Sequence, residues 1–198
     1  MAKDIGNALQ VSIGSSLPTY KAVLFDVVPY TTASDIINIS NTSTTIAVVI
    51  TRVYASYDAT AASTSDIYLI RRATANTGGT PTTLTTTQTA FLSGFAVVTQ
   101  MDTSDQPSLS TVVGYTVAPS PLGTAQLIEA AHITIPATSL PTVPVTYFDV
   151  NYANRGSKPP IARPGQSISV SLGGNAVPAG ASLYLIVEWV EVPLLSLF

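Results

Sequence analysis

From Val23 to Val192 the chain is cut into short apolar or alternating runs, each stopped by proline, glycine or a cluster of Asn, Ser and Thr. Prolines 119, 121, 136, 141, 144, 159, 160, 164 and 178 fall between the runs. Proline removes a ladder hydrogen bond, so it marks strand ends and edges rather than strand interiors. No stretch sustains apolar residues at helical spacing. Runs at Val23–Val28, Asp35–Ser40, Ile46–Tyr57, Asp66–Arg72, Phe95–Met101 and Thr111–Val117 read as strands, as do Ala125–Ile135, Val145–Asn151, Gln166–Leu172 and Ser182–Val192. Ala125–Ala131 could compete for helix, but Ile133-Thr-Ile135 beyond it tilts the segment to strand. Roughly nine or ten short strands with turn signals between them predict an all-β, two-sheet sandwich, with a jelly roll as the expected winding.

Two runs are long enough to show their faces. Ile46–Tyr57 places Ile46, Val48, Ile50, Arg52 and Tyr54 on one side and Ala47, Val49, Thr51, Val53 and Ala55 on the other. Both sides are largely apolar, as in a strand covered on both faces. Leu183, Leu185, Val187 and Trp189 share one face of the last run, which predicts a central core strand. Between Asp66–Arg72 and Phe95, the threonine-rich Thr74–Thr89 contains Gly78-Gly79 and Pro81 and reads as a long loop, with an edge strand at its end and an exposed tip.

The ends differ from the middle. Residues 1–20 carry isolated apolar positions, Ile5, Leu9, Val11, Ile13 and Leu17, without a sustained period, and read as an extended arm that orders on contact with a partner. Pro193 ends the last strand, and residues 193–198 form an apolar tail in which Leu194, Leu195, Leu197 and Phe198 want cover. The β-sandwich domain therefore spans 21–192, and these nine apolar residues are the candidate interaction sites.

Composition says what such a sandwich does. Only 10% of the residues are charged while 46% are hydrophobic, and mean hydropathy is +0.38. A soluble monomer carries about 25% charged residues, so a chain this poor in charge is expected to hide surface against copies of itself or a partner. A net charge of −3 gives no electrostatic footprint for nucleic acid. The sequence has no Cys, which excludes a disulfide framework and a thiolate zinc site. Asp4 and the lack of an apolar stretch after it do not make a signal peptide, and no apolar run approaches the ~20 residues of a membrane span. Synthesis in the cytoplasm is the expectation.

Groups for chemistry are few. His132, in Ala-Ala-His-Ile-Thr-Ile, has no motif that supplies a nucleophile and an orienting acid, and Glu129 would point to the opposite face of a regular strand. Met101-Asp-Thr-Ser-Asp-Gln-Pro107 has oxygen ligands that calcium favours, but Asx and ST turns account for them. Phe148-Asp-Val-Asn-Tyr-Ala-Asn-Arg155 has the aromatic and amide mix of a sugar-binding groove and equally that of a strand leaving its sheet. Gly173-Gly174-Asn175 is a turn and not a phosphate loop, since no helix or Lys follows. Glu188 and Glu191 would project from opposite faces of the last strand, which is unsuited to paired glycosidase carboxylates. Neither a catalytic set, a cofactor site nor a metal site is expected.

Asp66-Ile-Tyr-Leu-Ile-Arg-Arg-Ala-Thr-Ala-Asn-Thr-Gly-Gly-Thr80, Leu122-Gly-Thr-Ala125, Arg163-Pro-Gly-Gln166, Pro178-Ala-Gly-Ala-Ser-Leu183 and Val187-Glu-Trp-Val-Glu191 carry a resemblance. Over roughly residues 31–192 the chain resembles β-rich virion structural proteins of tailed bacteriophages and prophages. The arm, the tail and Asn151–Ala162 fall outside that pattern. The resemblance implies a virion component without catalytic residues. The expectation is a capsid decoration or cement protein: a homo-oligomer, as a trimer, bound to the major capsid protein or other virion proteins. No nucleic-acid or membrane partner is expected. The alternative is a tail, baseplate or fibre subunit with a receptor- or sugar-binding tip at Thr74–Thr89.

Overall fold

The computed structural model describes residues 17–27, 32–84, 96–102, 104–137, 145–149, 159–173 and 182–197. The strands are β1 (Thr19–Val27), β2 (Ser34–Ser40), β3 (Ile46–Asp58), β4 (Ser63–Arg72), β5 (Thr80–Leu84) and β6 (Ala96–Gln100), followed by β7 (Thr111–Val117), β8 (Ala125–Ile135), β9 (Val145–Asp149), β10 (Ile161–Ala162), β11 (Ser167–Gly173) and β12 (Ser182–Pro193). A short 3-10 turn over Leu194–Leu197 follows β12. Ten of these strands lie where an apolar or alternating run stands between turn residues, and Ala125–Ile135 is a strand throughout. β5 lies within the threonine-rich stretch read as a loop with an edge strand at its end, and the two-residue β10 has no run to mark it.

Two six-stranded sheets face each other. The first runs β10-β3-β12-β1-β6, with β9 also paired to β3, and the second runs β5-β7-β2-β11-β4-β8. Every pairing is antiparallel. The all-β two-sheet sandwich expected from the sequence is the architecture found. Leu183, Leu185, Val187 and Trp189 of β12 do share the core face, and Trp189 stacks on Tyr20 with ring centroids 5.7 Å apart. Ile37 and Ile39 of β2, Ile168, Val170 and Leu172 of β11, and Ile67 and Leu69 of β4 close the core from the other sheet.

Strand ends shift by up to four residues from the sequence reading, and two departures change which residues face where. β1 begins at Thr19, so the last two residues of the expected arm belong to the sheet, and Tyr20 is fully buried. In β3 the alternation breaks at Thr51. Glu188 pairs with Arg52 and Trp189 with Ile50, which leaves Thr51 as an extra residue. Ile46, Val48 and Ile50 therefore face the core below this bulge and Val53, Ala55 and Tyr57 above it. Arg52 and Tyr54, expected on the Ile46 face, turn outward instead. A bulge inserts one residue and flips everything beyond it; with both faces apolar, the sequence carries no mark of the insertion.

Candidate functional surfaces

The outer face of the second sheet holds a buried polar seam. Ser167, Ser169 and Ser171 alternate with the core residues of β11, so they point outward, yet all are buried. Segments 73–79 and 118–124 lie over them as a double strap. Ala73 N donates to Thr124 O, Thr77 N to Pro121 O, Gly123 N to Asn76 Oδ1, and Thr124 N to Thr74 Oγ1. Beneath the strap, Arg72 binds Asp35 through Nε and Nη2, both at 2.6 Å, and gives Nη1 to Gly123 O at 2.7 Å. Asn76 Nδ2 and Ser171 Oγ also donate to Asp35, and Asn38 Nδ2 donates to Ser167 and Ser169. Burial would raise the Asp35 pKa, but Arg72, Ser171, Asn76 and Ser169 outweigh it and hold the carboxyl below its ordinary value. A Cβ on Gly123 would stand 2.0 Å from Thr74 O, so only glycine lets the two strap segments meet. The exposed tip expected at Thr74–Thr89 is, over 74–79, part of this strap, with β5 from Thr80; residues 85–89 lie outside the described residues.

A row of alternating charge crosses the outer face of the first sheet. Lys21 pairs in register with Glu188, Glu188 with Arg52, and Arg52 with Asp149. Lys21 Nζ is 3.4 Å from Glu188 Oε1, and Arg52 Nε is 3.7 Å from Asp149 Oδ2. Tyr54 donates to Glu188 at 3.2 Å, with the cations of Lys21 and Arg52 over its ring at 5.4 and 4.6 Å. Burial opposes the Lys21 charge, but Tyr54 and Glu188 outweigh it and raise its pKa. The arrangement ties four strands in register, since opposite charges directly across a strand pair attract. Val23, Ile186 and the Phe25–Tyr184 edge-to-face pair continue this face beyond the charges.

His132 is the ring beside a carboxylate. Its Nδ1 lies 2.6 Å from Asp66 Oδ1, and Tyr68 Oη donates to Asp66 Oδ2 at 3.1 Å. These bonds, His132 first, hold the Asp66 pKa below its ordinary value. Asp66 and His132 are direct cross-strand neighbours on the outer face, whereas Glu129, opposite Leu69, lies on the other face, exposed at the rim of a small cavity lined by Val53, Ile67 and Phe148. The opposite placement of His132 and Glu129 follows the sequence reading; the Asp66 partner, sixty-six positions away, has no local signal.

One end of the sandwich holds the start of β1 and the end of β12. The start of β1 pairs with the end of β12, Thr19 opposite Val190. Met101 N donates to Thr19 O, Leu194 N to Thr45 O, and Thr42 Oγ1 to Leu109 O. Glu191 folds segment 108–110 onto this end, accepting Ser108 Oγ at 2.6 Å, Leu109 N at 3.0 Å and Ser110 Oγ at 2.7 Å. Tyr20 Oη donates to Gln106 O, and burial beside Glu191 and Asp105 pushes its pKa up. Asp102 accepts from Ser104 N and Oγ, the Asx turn its sequence suggests. Among the described residues no three His, Cys, Asp or Glu side chains converge as a metal site.

Of the nine candidate interaction residues, three have described side chains, and all three are at this end. Leu17 is half-buried against the Val49, Val190 and Val192 cluster, which Ile161 also joins. Leu194 is half-buried, and Leu195 is 93% exposed. The side chain of Leu197 and all of Ile5, Leu9, Val11, Ile13 and Phe198 lie outside the described residues. Sequence reasoning missed Met101 and Leu109, 56% and 43% exposed at the same end; only the fold brings them beside the termini. Comparison with protein-family models, with curated proteins and with solved structures finds no match for this chain.

Proposed function

We propose that this chain is a non-enzymatic structural component of a bacteriophage virion, a capsid decoration or cement protein that assembles as a trimer and stabilises the head shell. The observation that carries this reading is the exposure of Met101, Leu109 and Leu195 beside the start of β1 and the end of β12, on a chain with only 10% charged residues. A bridging protein needs a rigid body and adhesive apolar ends, and no covalent chemistry. The resemblance of residues 31–192 to phage proteins supports the same reading. So does the strand order: β1-β12-β3-β9 opposite β2-β11-β4-β8 is how a jelly roll would wind, with β5, β6 and β7 as an insertion between β4 and β8.

A tail, baseplate or fibre subunit is the second reading, favoured by the charged row around Tyr54, since aromatic rings beside Arg, Lys and carboxylates suit sugar recognition. Copy number separates the two. Particles purified from cells that make the protein are compared on a stained gel with their major capsid protein. Hundreds of copies per particle are expected for the shell, and a few to a few dozen would move the assignment to the tail. Absence from purified particles would overturn both.

A further inference from the structure

We infer that the outer face of the first sheet binds the same face of a second copy of this chain, about a two-fold axis that runs along the strands between β12 and β3. The two outward faces of the sandwich differ. The strap covers that of the second sheet, and among the described residues no such strap crosses that of the first. On one side of the charged row, Val49, Val190 and Val192 already have Leu17 and Ile161 packed on them. On the other side the face is apolar. Val23, Ile186 and Tyr54 stand in register on three neighbouring strands, with Phe25 and Tyr184 in the next row, all half-buried. Apolar area gathered on one outward face marks an interaction surface.

The charges name the occupant. From β1 to β9 the row reads Lys21, Glu188, Arg52, Asp149: cation, anion, cation, anion, one on each strand. Neighbouring strands are evenly spaced, about 4.8 Å apart. A row of four that alternates in sign is its own complement when turned end to end. Under the two-fold, Asp149 of the second copy comes over Lys21 and its Arg52 over Glu188. The other two contacts are the same pairs reversed, as an isologous interface requires. The rotation also brings Tyr54 of the second copy over Ile186, and Ile186 of the second copy over Tyr54. Sheets packed face to face keep their strands within about 30° of each other, so row lies on row. The apolar side chains supply the area, and the charges set register and partner. A surface of uniform charge would meet its own sign at two of the four positions.

The inference does not depend on the virion reading, because a two-fold contact here joins two single copies or two trimers alike. A protein abundant in particles yet monomeric in solution would end the inference and leave the virion assignment standing.

Sedimentation velocity of the full chain at tens of micromolar tests it, with Lys21→Glu, with Asp149→Lys and with the two variants mixed. The parent is expected at twice 20.6 kDa or a multiple of that. Each variant alone sets like charges against each other at both ends of the row, and is expected to associate more than about tenfold more weakly. In the mixture the new glutamate of one variant faces the new lysine of the other, while the unchanged Lys21 faces the unchanged Asp149. Association is expected to return, and no rearrangement within one chain produces that recovery. If either variant loses its circular-dichroism melt, Ile186→Glu in the apolar band replaces them. It is expected to break up the parent's species, whereas Leu127→Lys on the other sheet leaves that species intact. A monomeric parent would overturn the inference and return this face to the sugar reading. Variants that associate like the parent, a mixture no larger than its components, or dissociation by Leu127→Lys would each overturn it as well.

Discussion

Asp35 is the residue on which the second sheet's outer face depends. It is fully buried, with Arg72 bound through two nitrogens and further donors from Asn76 and Ser171. Removing one partner of such a pair strands the other charge out of water, at about 3–5 kcal/mol. Arg72→Met is therefore expected to lower urea stability by about that amount. Asp35→Asn, which keeps the shape and removes the charge, makes the pH test. The Asp35 pKa is depressed in the fold. Its contribution is present above the ordinary carboxylate pKa, about 3.9, and lost as pH falls through the lower folded value. Stability measured from pH 7 down to 3 should fall less steeply in Asp35→Asn than in the parent; equal slopes would exclude Asp35 as the acid-sensitive group. Part of this was legible. Adjacent residues on a strand face opposite ways, and Arg71 and Arg72 do so, Arg71 donating to Ile161 O across the sandwich. That the serines are covered could not be read, because the cover comes from two segments far apart in the chain.

At the scale of elements, the strap depends on close backbone approach. With Thr74 O 2.0 Å from where its Cβ would stand, Gly123→Ala must push the two segments apart. Overpacking of this kind costs about 1–3 kcal/mol. Gly165→Ala is the matched comparison: nothing lies within 4 Å of its Cβ, but its φ of +78° is left-handed. Only the conformational cost remains there, about 1–2 kcal/mol. Chemical denaturation should rank Gly123→Ala as the more damaging, and Gly123→Ala alone should increase proteolytic cutting within 73–79 and 118–124. Equal cutting in the two variants would mean that the strap is not held by this contact. Most strand positions were legible because their runs are bounded by Pro, Gly or an Asn/Ser/Thr cluster, while β5, inside a stretch read as a loop, and the two-residue β10 had no such run. The β3 bulge was not legible, and with it the outward turn of Arg52 and Tyr54. Alternation tells faces apart only when one face is polar.

For the whole molecule, antiparallel pairing of β1 with β12 puts the start of β1 beside the end of β12, from which the tail continues. Leu194 N is held by Thr45 O while Leu195 stands 93% exposed, so the tail is anchored at Leu194 and uncovered at Leu195. Burying a leucine contributes about 1.5–3 kcal/mol, a gain that in this fold requires a neighbour to cover Leu195. An association that binds the folded state raises its apparent stability with concentration. The melting temperature of the parent should therefore climb over a hundredfold range of protein concentration. Truncation after Pro193 should flatten that climb while leaving the far-ultraviolet spectrum of the strands unchanged. A truncated protein that melts lower by the same amount at every concentration would place the tail's contribution within a single chain. The flattened climb is the expected result, because Leu195 faces water in the isolated subunit and its own sheet ends at Pro193.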